Sequence, residues 1–175
     1  NYLNRLGDKL DVPVWFSLIP DKSFVWADRL PENAVKVDDG GMNVMVHEFI
    51  GADVGYIDMT GALHGDDVFY RTDHHWTTYG AYLAYCEYVE SLGLTPVSFE
   101  TIESVKGGDV SDFHGTFDAK AKKADTEPDV ITWYDIPCTV EINMEPVDSL
   151  HDLSKFEVRD KYAALMRSNN ALTVL

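Results

Sequence analysis

Strand and helix patterns alternate over residues 12–92, and this order constrains the fold more than any other feature of the chain. Apolar runs at 12–20 and 54–63 are typical of buried strands, whereas 42–51 and 78–92 have helical spacing. The apolar face of the helix predicted at 78–92 is formed by Tyr79, Tyr82, Leu83, Cys86 and Val89. Strands that alternate with helices favour an α/β domain with a parallel sheet.

Residues 94–146 have a different pattern, in which turn residues separate short β-like runs. The runs at 129–137 and 138–146 predict a hairpin in an insertion or cap. The chain has 175 residues, and 45% of them are apolar, which suits one domain with its own core. We therefore expect a single domain over 1–175, with residues 94–146 as a β-rich insertion within it.

The charge of the chain excludes one class of function. There are 30 acidic and 14 basic residues, so the formal net charge is −16 at pH 7, and the phosphate backbone of DNA or RNA would be repelled. No apolar window approaches the 18 residues of a membrane span. We also expect no cofactor. Cys86 and Cys138 do not make a disulfide framework, and each is expected to be a small buried hydrophobe.

The segment 69-FYRTDHHWTTYGAYLAY-85 contains the best candidates for chemistry. Asp73 lies two residues before His75, so its carboxylate can reach the imidazole across a tight turn. A general base of this kind needs a carboxylate that holds one tautomer and stabilises the imidazolium. Trp76 can exclude water from such a site, and Arg71 can clamp an anion or an acyl carbonyl.

Other interpretations of this segment stay open on local chemistry. It can be an ordinary loop before a helix, or a metal site at His74 and His75. Neighbouring histidines usually point in different directions, and zinc would need two further ligands. A catalytic base also needs a nucleophile, but no serine lies in a Gly-Asp-Ser or Gly-x-Ser-x-Gly turn.

The motif Asp73-His74-His75-Trp76, set in YRTDHHWTTYGAY, resembles the signature of the bacterial DHHW protein family. That family is related to SGNH-type hydrolases and to the alginate O-acetyltransferase-like group. Similar segments cover most of the chain: WFSLIPDKSFVWADRLP, VGYIDMTGAL, EYVESLGLTPV, SDFHGTFDAKA and VRDKYAALMRSNNALTVL. The resemblance implies an SGNH or flavodoxin-like fold, in which helices flank a parallel sheet.

The resemblance also implies roles for individual residues. Asp73 would orient His75, His75 would be the general base, and Trp76 would support them. His74 stands at a variable position, so its role is open, and contact with substrate is one option. The supporting or substrate-contacting set would further include Tyr70, Arg71 and Asn169, of which Asn169 matches the family asparagine in a turn that here lacks the usual two glycines.

In the family the nucleophilic serine follows that turn, so the resemblance implies a fragment that is incomplete at both ends and inactive alone. A sheet without its last strands would self-associate or pair with a second fragment. The intact protein would be a cell-surface or secreted bacterial esterase or O-acetyltransferase that acts on carbohydrate or an acylated polysaccharide. The alternatives are a non-catalytic carbohydrate-binding or surface module and the metal site at His74 and His75.

Overall fold

The computed structural model describes residues 2–36, 38–122, 125–167 and 170–175. They divide into two units, the first formed by Asn1–Val68 and Gly80–Pro96 and the second by Phe69–Tyr79 and Val97–Leu175. The prediction of one domain with an insertion at 94–146 stays a prediction. Across the described part of the chain, no helix is both long enough and apolar enough to cross a membrane.

The first unit contains the only parallel strand pair among the described residues. Its elements in chain order are α1 (Tyr2–Gly7), β1 (Val14–Phe16), α2 (Lys22–Val25), a 3₁₀ turn (Ala27–Arg29), α3 (Asp39–Phe49), β2 (Val54–Tyr56) and most of α4 (Thr78–Ser91). β1 and β2 pair in parallel, with Val14 beside Val54 and Phe16 beside Tyr56. The alternation predicted from the sequence is therefore present, but both strands are shorter than their apolar runs.

The start of α3 differs from the prediction. The segment 38–41 reads as a breaker because it combines two aspartates with two glycines, yet the helix begins at Asp39. The reason is a cap, since the Asp38 carboxylate accepts a 2.9 Å hydrogen bond from the N–H of Gly41. A carboxylate at this position satisfies an N–H group that has no partner within the helix.

The second unit is built from antiparallel strands and short helices. Its elements in chain order are α5 (Phe99–Glu103), β3 (Lys106–Phe113), α6 (Thr116–Ala121), β4 (Asp129–Tyr134), β5 (Val140–Ile142), β6 (Glu145–Val147), 3₁₀ helices at Leu153–Glu157 and Lys161–Arg167, and β7 (Thr173–Val174). β3 pairs with β4, and the remaining strands form a sheet in the order β6-β5-β7.

The predicted hairpin between 129–137 and 138–146 is wrong. β4 pairs with β3 instead, and β5 makes its own hairpin with β6. Asn143 and Met144 both have positive φ, as a two-residue type I′ turn requires, so this local turn determines the pairing.

The core of the second unit lies beneath the Asp-His-His-Trp segment. Its buried members are Tyr70, Phe113, Ile131, Phe156 and Ala164. Tyr70 belongs to the segment itself, so the loop that carries the candidate site is anchored in the core. The cysteines contribute little burial: Cys86 is half-buried, and Cys138 is exposed, contrary to expectation.

Candidate active site

The Asp-His-His-Trp segment is a closed loop in the second unit. Phe69 and Trp76 form an antiparallel bridge, and the N–H of Tyr70 donates to the carbonyl of His75 over 3.3 Å. The residues between these partners therefore form a short loop whose two ends are hydrogen-bonded to each other. Helix α4 starts two residues after Trp76.

A buried carboxylate from β4 holds the first half of this loop. Asp129 Oδ1 accepts the N–H of Arg71 over 2.9 Å, and Oδ2 accepts the N–H of Thr72 over 2.7 Å. The Thr72 hydroxyl also donates to Oδ2, over 2.6 Å. Asp129 is only 9% exposed, so these charge-assisted bonds fix the backbone just before Asp73.

The turn between β3 and α6 holds the other side of the loop. The N–H of Gly115 donates to the Thr72 hydroxyl over 2.9 Å, and the N–H of Thr116 donates to Asp73 Oδ2 over 2.7 Å. Position 115 lies so close to the loop that a Cβ there would be 2.7 Å from the Cα of Asp73. Only glycine allows this approach without displacing Asp73.

The side chains of Asp73 and His75 meet across the turn, and their role as a catalytic pair stays a prediction. Asp73 Oδ1 lies 2.5 Å from His75 Nδ1 and also accepts the backbone N–H of His75 over 2.9 Å. The Asp73 side chain is 3% exposed and the His75 side chain 38% exposed. Because an ionised carboxylate only accepts, His75 Nδ1 carries the proton, and Nε2 remains available to take another.

The surroundings of Asp73 keep it ionised. Burial alone would raise the pKa of its carboxyl, but hydrogen bonds from the backbone of Thr116, the backbone and ring of His75 and the Thr116 hydroxyl lower that pKa to about 2. The carboxylate is therefore charged at neutral pH, as it must be to stabilise an imidazolium at His75.

Tyr162 covers one face of the His75 ring. The two rings stack with centroids 4.0 Å apart and planes 13° apart. The Tyr162 hydroxyl is hydrogen-bonded to the Trp76 side chain. Burial and the Asp73 charge raise the pKa of Tyr162, and the hydrogen bond with Trp76 offsets part of this increase. Tyr70 meets Tyr162 edge-on, with centroids 6.1 Å apart. Trp76 and Tyr70 thus support the imidazole indirectly, by holding Tyr162.

His74 lies beside His75, although neighbouring histidines usually diverge. The ring centroids are 3.9 Å apart, and the planes are tilted by 37°. His74 Nδ1 lies 2.8 Å from the Thr116 hydroxyl and 3.5 Å from Asp73 Oδ1, and its side chain is half exposed.

One ligand atom each from Asp73, His74 and His75 lies within 4.8 Å of the others, close enough for these residues to be considered as metal ligands. Zinc–ligand bonds of about 2.1 Å at tetrahedral angles place two ligand atoms roughly 3.4 Å apart. The 2.5 Å between Asp73 Oδ1 and His75 Nδ1 is instead a hydrogen-bond distance. The spacing therefore favours a proton, rather than a metal ion, between these two residues.

The family model described as "SGNH hydrolase-like domain, acetyltransferase AlgX" matches residues 3–133, most of the chain. The chain belongs to this family. No curated protein matches it. The predicted resemblance to DHHW, SGNH-like and alginate O-acetyltransferase-like proteins is confirmed, and so is the α/β fold class.

Several solved structures have a similar fold. A DHHW family protein from Eubacterium siraeum has a TM-score of 0.70 and 20% identity, with 98% of this chain and 61% of that protein covered. Bacillus cereus PatB1 has a TM-score of 0.56 and 18% identity, covering 79% and 52%. The O-acetyltransferase domain of Pseudomonas putida AlgJ has a TM-score of 0.53 and 17% identity, covering 74% and 51%. The chain thus spans between half and two thirds of the length of these proteins.

Two of the predicted supporting residues are not seen at the Asp73–His75 pair. The Arg71 guanidinium donates to the carbonyls of Glu127 and Pro128, over 3.2 and 2.9 Å, so it faces the start of β4. Its role as an anion clamp stays a prediction. Asn169 lies outside the described residues.

Four residues around the pair were missed in the sequence: Gly115, Thr116, Asp129 and Tyr162. Each is distant from the motif along the chain and lacks a signature of its own. The run HGT at 114–116, just before a helix, was the available signal for the turn that holds Asp73. Beside this turn lies a cavity of about 190 Å³, whose lining includes Asp73, Phe113 and Arg159.

Proposed function

We propose that this AlgX-family protein is an acyl-transfer enzyme, an esterase or O-acetyltransferase that acts on carbohydrate, with Asp73 and His75 as its acid–base pair. The observation that carries the proposal is the 2.5 Å hydrogen bond between a buried, ionised Asp73 and Nδ1 of the half-exposed His75. It leaves Nε2 as a base of the kind that activates a hydroxyl nucleophile.

The proposed reaction has two steps. In the first, His75 Nε2 takes the proton of a serine hydroxyl while its oxygen attacks the acyl carbon, and the donor oxygen leaves with that proton. In the second, His75 takes the proton of water or a sugar hydroxyl, a new bond forms to the acyl carbon, and the proton passes to the departing serine oxygen. Asp73 stays ionised and stabilises the imidazolium in both steps.

The serine is the part of this proposal that the described residues do not supply. Among residues 2–36, 38–122, 125–167 and 170–175, no serine hydroxyl is hydrogen-bonded to His75. We therefore propose that the nucleophilic serine lies outside these described residues.

The carbohydrate substrate rests on the relatives. The description of the family names the acetyltransferase AlgX, and the AlgJ structure is an O-acetyltransferase domain. An enzyme of this kind that modifies polysaccharide would act at the bacterial cell surface or after secretion, which is our proposal for location. A non-catalytic carbohydrate-binding module would not need Asp73 and His75 to converge, so their hydrogen bond favours catalysis over that alternative.

We also propose self-association, or pairing with a second fragment, at the strand β7. This strand pairs with β5 on one side, and the apolar side chains of Leu172, Val174 and Leu175 are exposed. Unpaired strand edges with apolar side chains tend to add another strand. Light scattering of residues 1–175 should give a mass above that of a monomer, and a strictly monomeric chain would contradict this part of the proposal.

The nucleophile can be tested by covalent labelling of protein expressed from its complete reading frame. Phenylmethylsulfonyl fluoride should place one sulfonyl group on a single serine, detectable by mass spectrometry. Labelling should slow by roughly 10²–10⁴-fold in His75→Ala, because the base that activates the hydroxyl is lost. Exposed His64, in the first unit, supplies the control His64→Ala, which should label at the normal rate. Labelling that is absent from every serine, or unaffected by His75→Ala, would contradict the proposal.

A further inference from the structure

His74 is connected to the same carboxylate as His75, through a hydroxyl. The Thr116 hydroxyl lies 2.8 Å from His74 Nδ1 and is also hydrogen-bonded to Asp73. A hydroxyl has one proton, and the ionised carboxylate can only accept it. The Thr116 proton therefore points to Asp73, and the hydroxyl oxygen accepts a hydrogen bond from the N–H at His74 Nδ1.

This assignment determines the tautomer of both imidazoles. His74 carries its proton on Nδ1, an arrangement that the Asp73 charge 3.5 Å away also favours. His75 carries its proton on Nδ1 as well, directed at Asp73 Oδ1 over 2.5 Å. In the neutral form each ring therefore presents an acceptor at Nε2.

The two imidazole rings lie side by side. Both Nδ1 atoms face the same oxygen of Asp73, at 3.5 Å for His74 and 2.5 Å for His75, so both Nε2 atoms lie on the sides of the rings that face away from it. The ring centroids are 3.9 Å apart, and the two side chains are 51% and 38% exposed. The two rings are therefore close together, and both are partly exposed to solvent.

We propose that His74 is a substrate-positioning residue, whose Nε2 accepts a hydrogen bond from a second hydroxyl of the acceptor, next to the hydroxyl that His75 deprotonates. Adjacent hydroxyls on a sugar ring are separated by about one hydrogen-bond length, roughly 3 Å, which suits two neighbouring acceptors. The acceptor class is then a vicinal diol. This inference rests on the proposed function, since it concerns the second step of that reaction.

The proton balance of that step is unchanged by His74. The attacked hydroxyl gives its proton to His75 Nε2 as its oxygen bonds to the acyl carbon. The bond from that carbon to the serine oxygen breaks, and His75 returns the proton to that oxygen. His74 accepts a hydrogen bond throughout and exchanges no proton, so it sets orientation and the KM for the acceptor.

Thr116 provides a way to disturb His74 with little effect on the Asp73–His75 bond. Thr116→Val removes the hydroxyl but keeps the backbone N–H that donates to Asp73 Oδ2. Thr116→Ser restores the hydroxyl.

Nitrogen-15 spectra of the histidine rings in the 175-residue chain should show the His74 proton on Nδ1 in the natural protein and in Thr116→Ser. In Thr116→Val the two tautomers should mix. A His74 proton mainly on Nε2 in the natural protein would overturn the inference, whatever the enzyme does.

Acyl transfer by protein from the complete reading frame tests the diol directly. With 4-nitrophenyl acetate as donor, cis-1,2-cyclohexanediol should be a better acceptor than cyclohexanol by about tenfold in kcat/KM, since tenfold corresponds to about 1.4 kcal/mol, within the range for one hydrogen bond. His74→Ala should reduce this preference to within about twofold, mainly through KM, and His74→Gln should restore part of it, because its amide oxygen can replace Nε2.

The outcomes separate the two proposals. If the natural protein transfers acetyl groups but shows no preference for the diol, or if His74→Ala keeps the preference, the inference about His74 is wrong and the acyl-transfer proposal stands. If the natural protein neither forms an acyl-serine nor transfers acetyl groups, the proposed function itself fails, and the diol acceptor fails with it.

Discussion

His75 and His151 lie in the same unit, but their surroundings give them different chemistry. His151 is 8% exposed; its Nε2 donates to the Tyr134 carbonyl over 3.0 Å, and its Nδ1 accepts the N–H of Met166 over 3.4 Å. Backbone partners thus occupy both nitrogens. His75 has one nitrogen on a carboxylate and the other available. A structural imidazole and a candidate base thus differ here both in their hydrogen-bond partners and in their exposure.

The largest expected effect distinguishes the two histidines by activity. His75→Ala should reduce kcat/KM for acetyl transfer by roughly 10²–10⁴-fold, because the general base is lost. Its melting temperature should change little, since the ring is more than one-third exposed. Acetyl transfer and thermal melting, measured on protein from the complete reading frame, check both expectations.

His151→Ala should show the opposite pattern. Loss of two hydrogen bonds, one of them buried, and of the contact with Trp133, at 5.7 Å between ring centroids, should destabilise the fold by about 1–3 kcal/mol. Activity per folded molecule should stay far above that of His75→Ala. The distinction between a catalytic His75 and a structural His151 would be contradicted if His75→Ala kept its activity or if His151→Ala left the free energy of unfolding unchanged.

The next effect concerns the backbone that supports Asp73. Gly115→Ala should lower both activity and stability, because the new Cβ would overlap with Asp73 and displace it. Overpacking of this kind costs about 1–3 kcal/mol, and we expect a loss of kcat/KM of about 10–100-fold. Gly61→Ala is the matched control, since a Cβ there meets no atom within 4 Å. Equal behaviour of the two variants would contradict the described packing around Asp73.

Acid should remove the stabilisation that ionised Asp73 contributes. Asp73 is the carboxylate partner of His75, and His151 has no such partner among its hydrogen bonds. The pKa of Asp73 is about 2 in the folded chain, against an ordinary value of 3.8, so its stabilisation is complete above 3.8 and is lost as the pH falls towards 2. This shift corresponds to about 2 kcal/mol. The difference in unfolding free energy between the natural chain and Asp73→Asn, measured in urea, should shrink by about that amount between roughly pH 5 and pH 2. A difference independent of pH would show that the carboxyl is not stabilised in its ionised form.

The smallest effect concerns the ring that covers His75. Tyr162→Phe keeps the stacked ring but removes the hydrogen bond to the Trp76 side chain. We expect kcat/KM to fall by about two- to fivefold, in line with the loss of about 1 kcal/mol from one hydrogen bond. A loss as large as that of His75→Ala would mean that the Tyr162 hydroxyl takes part in the chemistry itself.

The sequence predicts the centre of the site better than its surroundings. Asp73 and His75 are two residues apart, so a local turn brings them together, and their spacing predicts the pair. Thr116 reaches Asp73 from 43 positions away, and the run HGT at 114–116 indicates a turn there but not its contact with Asp73. The same contrast holds in the fold, where the helix at 78–92 follows from its periodicity, but the partner of β4 does not, because strand pairing depends on distant residues.

The central claim, that Asp73 and His75 act as one unit in acyl transfer, is tested most directly by kcat/KM for four proteins: the natural sequence, Asp73→Asn, His75→Ala and the double variant. A carboxylate that works only through His75 has no further effect once the imidazole is gone. We predict that the double variant is no less active than His75→Ala within about twofold. Losses that multiply, so that the double variant falls by the product of the two single effects, would contradict the account.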